Sequence, residues 1–523
     1  MKKLSLFLLT FVVPVGVLAN GQGQDTTREL PEGIRLLYAL KAPAGVPGRA
    51  VVFADKGRQL VTTTLGGIQA WDLVSGKLQK TWAGTFHALT ISRDGGVLAA
   101  MDENKEIHLF DVATRQKQWQ FRFTGVKPKE GAWANDTAVL AFSPDGKRMA
   151  VGCFQDIEIW DIARRKFSHR FQRETGYRFG IVDFFPDNNR LVVAGFPTYL
   201  AHKWDATLQK WDGLLLLYKY VRSAKLSPDG KSFVAGIDFG GAYGNLYCFS
   251  TDSRNGERRL RVPAPVNSIA LSSDGRVVAA RCTNGKLLLM HFKSFQIVDA
   301  LNVRKAGEES FPLGLGFSPD GRLLAVDNGG EILVWDLKEW HKKLAQFERL
   351  SPERLEAVWQ DLARYVDDGF FQVPPVYQLL GVPEQAVPLL AEKLKPVPPP
   401  DREKVSRLIG ELDHREFAVR DKATKALHAL DWLVKPALNE ALRKASTLEM
   451  KRRIESLVKN MSSEWSGEHQ RQYRAVYILT KINTEPARKI LRELATGTPA
   501  AYLTQVAQEE LKRINDRKAE QKK

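Results

Sequence analysis

The chain has 523 residues, 44% hydrophobic and 26% charged, with 77 Lys+Arg against 60 Asp+Glu for a formal net charge of +17. This balance excludes a mainly disordered chain, a collagen and a polytopic membrane protein. Only three cysteines occur, Cys153, Cys248 and Cys282; this excludes a disulfide-stapled scaffold and a zinc site of four cysteines.

Lys2 and Lys3 precede an apolar run from Leu4 to Leu18, and Val17-Leu18-Ala19 leads into the polar stretch Asn20 to Thr27. Basic, apolar and small-residue parts in this order read as a secretory signal peptide over 1–19, cleaved between Ala19 and Asn20. Pro14 and Gly16 interrupt the run, which is short for a span of about 20 residues. The chain is therefore expected to be exported to the periplasm, the cell envelope or the medium, with residues 20–34 as a linker and no transmembrane segment in the mature part.

A turn motif then recurs. Ser143-Pro144-Asp145-Gly146, Ser227-Pro228-Asp229-Gly230 and Ser318-Pro319-Asp320-Gly321 are its full copies, and Asp55, Asp94, Asp187 and Asp274 sit in weaker ones. Pro pre-sets a negative φ, Asp caps the turn and Gly takes the positive φ. β-rich apolar strands flank each turn. A later strand in each unit ends in an aromatic–acid pair: Trp71-Asp72, Phe110-Asp111, Trp160-Asp161, Trp204-Asp205 and Trp335-Asp336. Units five and six carry Phe249-Ser250 and Met290-His291 instead.

Seven such units resemble the WD40 repeat family, in which each unit is a four-stranded propeller blade. The resemblance covers 35–340 and implies a seven-bladed propeller. Arg35 to Leu40 reads as the strand that closes the ring on the last blade and removes an exposed edge. Only the third unit keeps an acid, Asp156, before its Trp strand, and the Gly-His dipeptide is missing. Apolar packing is therefore expected to hold the blades together in place of the family's hydrogen-bond relay. The three cysteines read as small buried residues.

From Ser351 the period turns helical. Ser351-Pro352 is an N-cap and first-turn pair. Residues 341–400 form a connector that ends in the break Pro396-Val397-Pro398-Pro399-Pro400, and Asp401 restarts a helix. Residues 401–517 resemble HEAT-type helix pairs. One starts at Leu412 and continues through Ala423 and Leu427 to a helix carrying Pro436 and Leu442; the other runs from Arg474 to Ile482 and from Pro486 to Leu494. Residues 518–523 are a charged tail. The fold class is thus a mainly β, seven-bladed WD40-type propeller followed by an all-α HEAT-like region. That order, behind a signal peptide, resembles exported bacterial WD40 proteins.

No catalytic constellation stands out. There is no P-loop, G-x-S-x-G elbow or H-E-x-x-H, and the histidines form no metal spacing. His108 and His291 read as structural. No cofactor, metal or catalytic residue is assigned. Long loops on one face carry Lys127, Lys129 and Trp133, then Phe196 and Tyr199, then Phe239 and Tyr243. Aromatic residues rimmed by cations are what binding hot spots use; the competing expectation is that these rings fold back onto the blade tops. The densest basic cluster, Arg443 and Lys444 with Lys451-Arg452-Arg453 and Lys459, reads as a solvated helix face. The leading function is a non-catalytic protein-interaction scaffold. The alternatives are an enzyme or small-ligand binder using the central channel, and a binder of an anionic envelope polymer or membrane surface. A nucleic-acid partner is not expected, because no basic stripe with interleaved aromatics occurs.

Overall fold

The computed structural model describes residues 30–41, 50–64, 66–125, 138–153, 156–172, 178–196, 200–205, 210–216, 220–238, 243–251, 256–303, 314–328, 331–364, 374–463 and 467–520. Seven four-stranded antiparallel sheets follow one another along the chain. Blade one consists of Val51–Ala54, Gln59–Thr64, Gly67–Asp72 and Lys77–Ala83. Blades two to six lie within 86–122, 138–172, 178–216, 220–262 and 266–302. Blade seven contains Leu315–Phe317, Leu323–Asp327 and Glu331–Asp336, and its outer strand is β1 (Arg35–Lys41). β1 runs antiparallel to the third strand, from Arg35 opposite Asp336 to Lys41 opposite Glu331. Each inner strand touches that of the next blade, and the seventh touches the first. The expected seven-bladed ring, closed by the earliest strand, is the fold observed.

The core lies between blades. Val61, Ile68 and Ala70 of blade one pack with Leu98, Ala100 and Phe110 of blade two. Ala150, Ile157 and Ile159 of blade three pack with Leu191, Val193 and Trp204 of blade four. Fully burying one such aliphatic side chain is worth about 1.5–3 kcal/mol.

The lower rim, which carries the first-to-second and third-to-fourth strand turns, follows the motif. The Ser hydroxyl donates to the Asp Oδ1 two residues on at 2.5–2.6 Å in five blades, and accepts the backbone N–H five residues on. The turn glycine takes φ near +70°, for example Gly230 at 71°, and presses on the preceding blade: a Cβ there would lie 2.5 Å from Pro186. In blade four Asn188 replaces this glycine at φ 63°, and its Oδ1 accepts from the Asp145 N–H of blade three at 2.8 Å. The seven turns thus form an interlocked ring. The acid of the aromatic–acid pair caps the other lower turn, as when Asp72 Oδ1 accepts from Val74 N and Ser75 N.

Eleven α-helices follow among the described residues. They are α1 (Ala345–Glu348), α2 (Pro352–Asp361), α3 (Pro374–Gly381), α4 (Pro383–Lys393), α5 (Arg402–Glu411), α6 (Phe417–Ala429), α7 (Lys435–Lys444), α8 (Leu448–Ser463), α9 (Gly467–Ile482), α10 (Glu485–Leu494) and α11 (Tyr502–Glu520). Ser351 and Asp401 cap α2 and α5 as expected. Leu412, expected to open a helix, instead caps the end of α5, and α6 begins at Phe417. The helices build two cores. One joins α2, α3 and α4 to α9, α10 and α11 around Val376, Leu390, Leu479 and Leu491. The other is formed by α5 to α8 around Leu412, Leu427, Leu438 and Ile454. None of the described helices is long and apolar enough to cross a membrane.

The helical region docks on blades five and six. Trp340, fully buried, donates its backbone N–H to Gly33 O at 3.1 Å and its Nε1–H to Asp299 Oδ2 at 2.7 Å. Tyr377 Oη of α3 accepts from the Arg259 N–H on the outer strand of blade five at 3.1 Å. A Cβ on Gly381 would lie 3.1 Å from Ser294. Phe347 stacks on His291 with ring centroids 5.8 Å apart. His291 occupies the turn position where five other blades have an aspartate. Its Nδ1 accepts from the Ser294 N–H at 3.3 Å and lies 2.8 Å from Ser294 Oγ, so it does the aspartate's work without a charge. Burial pushes its pKa down to about 4.

Candidate functional site: the upper rim of the propeller

The upper rim carries the second-to-third strand turns and the connections between blades. One recurrent irregularity marks it. In blades two, four, five and six the inner strand bulges one or two residues in from its upper end, at His87, Gly180, Arg222 and Asn267. A bulge adds an unpaired residue and re-aims its side chain. Three polar residues, His87, Arg222 and Asn267, therefore occupy equivalent bulge positions of their inner strands. No residue type in these stretches announces the bulges, and they escape a sequence reading.

Blade five is the most elaborated. Arg222 Nε and Nη2 donate to Asp238 Oδ2 at 2.9 and 2.8 Å. The neighbouring Ser223 Oγ accepts from the Ile269 N–H of blade six at 3.0 Å, tying the two inner strands together. Arg259 Nε donates to Asn245 Oδ1 at 2.7 Å. Tyr243 is 55% exposed, and the Arg261 guanidinium carbon lies 4.1 Å from its ring centroid. The next residue, Gly244, leaves no space for a side chain: a Cβ would fall 2.2 Å from Ala264 O.

Asn267 is only 5% exposed, and neither its Oδ1 nor its Nδ2 has a hydrogen-bond partner. Buried amides are paired in the great majority of proteins. By contrast, the buried acid Glu158 of blade three is saturated. It accepts from Thr124 N at 2.9 Å and Thr124 Oγ1 at 2.7 Å, from Arg170 Nη2 at 2.6 Å and from Trp160 Nε1 at 3.0 Å.

In blade two, Asp102, Glu106 and His108 bring one ligand atom each within 4.8 Å. Their chemistry is largely taken up by the turn. Asp102 Oδ1 accepts from Asn104 N and Glu106 N at 2.9 Å, and its Oδ2 lies 2.8 Å from His108 Nε2. The three cysteines are buried, and burial pushes the Cys282 thiol up to about 12; it is held as the unreactive thiol.

Of the residues expected to form the aromatic patch, Tyr243 is exposed on this rim. Phe196 ends the second strand of blade four, opposite Arg178. Lys127, Lys129, Trp133, Tyr199 and Phe239, and likewise Ala19 and Asn20, lie outside the described residues. Sequence reasoning missed Arg222, Arg261 and Asn267. Arg261 comes beside Tyr243 through the strand pairing that sets Gly244 opposite Val262, which the sequence alone does not show.

The sheets and their closure define a seven-bladed β-propeller followed by a helical region. No family model and no curated protein matches the chain. Among solved structures, the chain is similar to that of U3-55K, at 14% identity and a TM-score of 0.48, over 58% of this chain and 98% of that one. The assignment of the fold stands on the seven sheets and does not draw on this likeness.

Proposed function

We propose that the protein is an exported, non-catalytic scaffold that holds a protein partner on the upper rim of its propeller. The observation that carries this reading is the exposed Tyr243 under Arg261 on the upper rim of blade five. Exposed aromatic and arginine anchors at the edge of a rigid surface are the usual energetic centres of protein interfaces. Rigidity limits the ordering cost on binding, and the closed ring supplies it. The reading of export rests on the basic, apolar and small-residue order of residues 1–19.

The test is chemical crosslinking in the native cell envelope followed by purification of the tagged chain and mass spectrometry. A Tyr243→Ala, Arg222→Ala double variant is run in parallel. A protein crosslinked to the wild type and lost from the folded double variant supports the scaffold. A partner retained equally by both refutes the upper rim as its seat. Turnover of a small molecule by the purified chain refutes the non-catalytic reading. Fusion of residues 1–34 to a phosphatase active only outside the cytoplasm tests export, and an inactive fusion refutes it.

A further inference from the structure

We infer that one end of the α5–α8 unit seats on an anionic lipid surface, a second interaction site that stands apart from the upper rim and does not depend on the scaffold reading. Two connections lie together there, 412–416 between α5 and α6 and 445–447 between α7 and α8. Thr447 Oγ1 donates to Asp413 Oδ1 at 2.6 Å and ties one to the other. Two large apolar side chains stand at this end. Phe417 opens α6 and is 64% exposed; Leu448 opens α8 and is 63% exposed. Neither belongs to the core of the unit around Leu412, Leu427, Leu438 and Ile454. Helix starts favour acidic residues, so folding gives no reason for a large apolar one at either place.

The cations at this end are used in two ways. The Arg420 and Arg453 guanidinium carbons each lie 5.7 Å from the Phe417 ring centroid and hold the ring in place. Both are tied to Glu449, at 3.6 and 2.6 Å, and are spent inside the cluster. Arg415 of the first connection, Arg443 of the last turn of α7, and Lys451 and Arg452 at the start of α8 are different. All are exposed and none has an acidic partner among the described residues. Lys451 and Arg452 follow Leu448 by three and four positions and share its helix face. Against them stand Asp413 and Glu416, exposed acids of the same connections without a cation among the described residues. Positive charge prevails around the two apolar side chains.

This pairing of protruding apolar groups with unpaired cations selects the occupant. A second copy of the chain would bring the same excess of cations and is opposed by it. An acidic polymer would answer the cations and leave Phe417 and Leu448 in water. A bilayer surface answers both: its acyl boundary takes apolar side chains without needing a complementary shape, and its anionic headgroups attract Lys and Arg. Reversible anchoring takes two such signals together, since either alone is marginal. The contact is peripheral, because none of the described helices is long and apolar enough to cross a membrane.

The test is cosedimentation with phosphatidylcholine vesicles made with and without phosphatidylglycerol. It uses the purified chain from Asn20 onward, so that the apolar run Leu4 to Leu18 cannot bind in place of the helices. Binding is expected only to the vesicles that contain phosphatidylglycerol, and is expected to weaken as salt is raised. A Phe417→Ser, Leu448→Ser double variant and a Lys451→Gln, Arg452→Gln double variant are each expected to bind about tenfold more weakly. Both should keep the wild-type Tm, because all four side chains are exposed and outside the core; this separates lost binding from lost folding. Tyr243→Ala should bind vesicles as the wild type does. Absence of binding, equal binding to the neutral vesicles, or undiminished binding by both double variants overturns the inference. Binding lost in the charge variant and kept in the apolar variant assigns the site to an acidic polymer and overturns it as well.

Discussion

The two rims of the propeller are built from the same strands and solve different problems. At the lower rim the Ser and Asp of each repeated turn find their partners inside the turn, and the turns press on one another around the ring. At the upper rim of blades five and six an arginine has no acidic partner among the described residues, a tyrosine lies open and an amide lies unmatched. The lower rim repeats because every blade makes the same physical demand there. The upper rim varies from blade to blade because it is not needed to close the ring. On the proposed reading, the lower rim serves stability and the upper rim recognition.

Substitutions that hit one side only will break or sharpen this contrast. The largest loss is expected for Trp340→Ala, which empties a fully buried site between the ring and the helices. Urea unfolding should register about 3–5 kcal/mol. If Tyr243→Ala on the upper rim costs as much, the contrast fails.

Next comes the turn of blade six. His291 has a pKa of about 4 in the folded chain against 6.5 ordinarily, because burial disfavours its charged form. The unfolded chain takes up the proton first. The folded state therefore has its full stability above about pH 6.5 and loses it as pH falls toward 4, by at most about 3 kcal/mol. His291→Asn keeps an acceptor for the Ser294 N–H without titrating, and should remove this step from the stability–pH curve.

A smaller effect is expected at the closing strand. Arg322 grips Asp336 at 3.0 and 2.6 Å, and Arg35 of β1 reaches it at 3.4 Å. The Arg322 hydrogen bonds above all hold the Asp336 carboxyl at about 2. This contribution is complete above about pH 4 and is lost as pH falls through 2. With both arginines well exposed, Asp336→Asn should cost about 1 kcal/mol at neutral pH. The smallest change in stability, within about 0.5 kcal/mol, is expected for Tyr243→Ala, which should nonetheless lose the partner.

The ring was legible because its signals are local. Asp145 caps its own turn and Gly146 bends it, so each copy can be read without its neighbours. The closing role of Arg35 to Leu40 followed from counting strands. The replacement at Met290-His291 was visible as a departure, but its reason was not, since Phe347 and Ser294 are brought to His291 by packing. The same holds for the two helical cores, in which Val376 meets Leu479 across the whole of α5 to α8. The bulges at Arg222 and Asn267 are matters of register between strands, which composition does not encode. Of the expected aromatic patch, Tyr243 is exposed while Trp133, Tyr199 and Phe239 lie outside the described residues, and the arginine over Tyr243 required the strand pairing.

The closing strand also sets the order of events in synthesis. The Arg35 and Asp336 side chains that meet across β1 and blade seven are separated by 301 positions. At a synthesis rate of about 5–20 residues per second, β1 waits roughly 15–60 seconds for its partner. During that time it is a single strand with two open edges, and blade seven, when made, offers another. The ring can finish only in a late, long-range step of the kind that slows folding. The most aggregation-prone moment of this protein's life is therefore expected just before closure, and a chaperone that shelters the segment around β1 would act where it matters most.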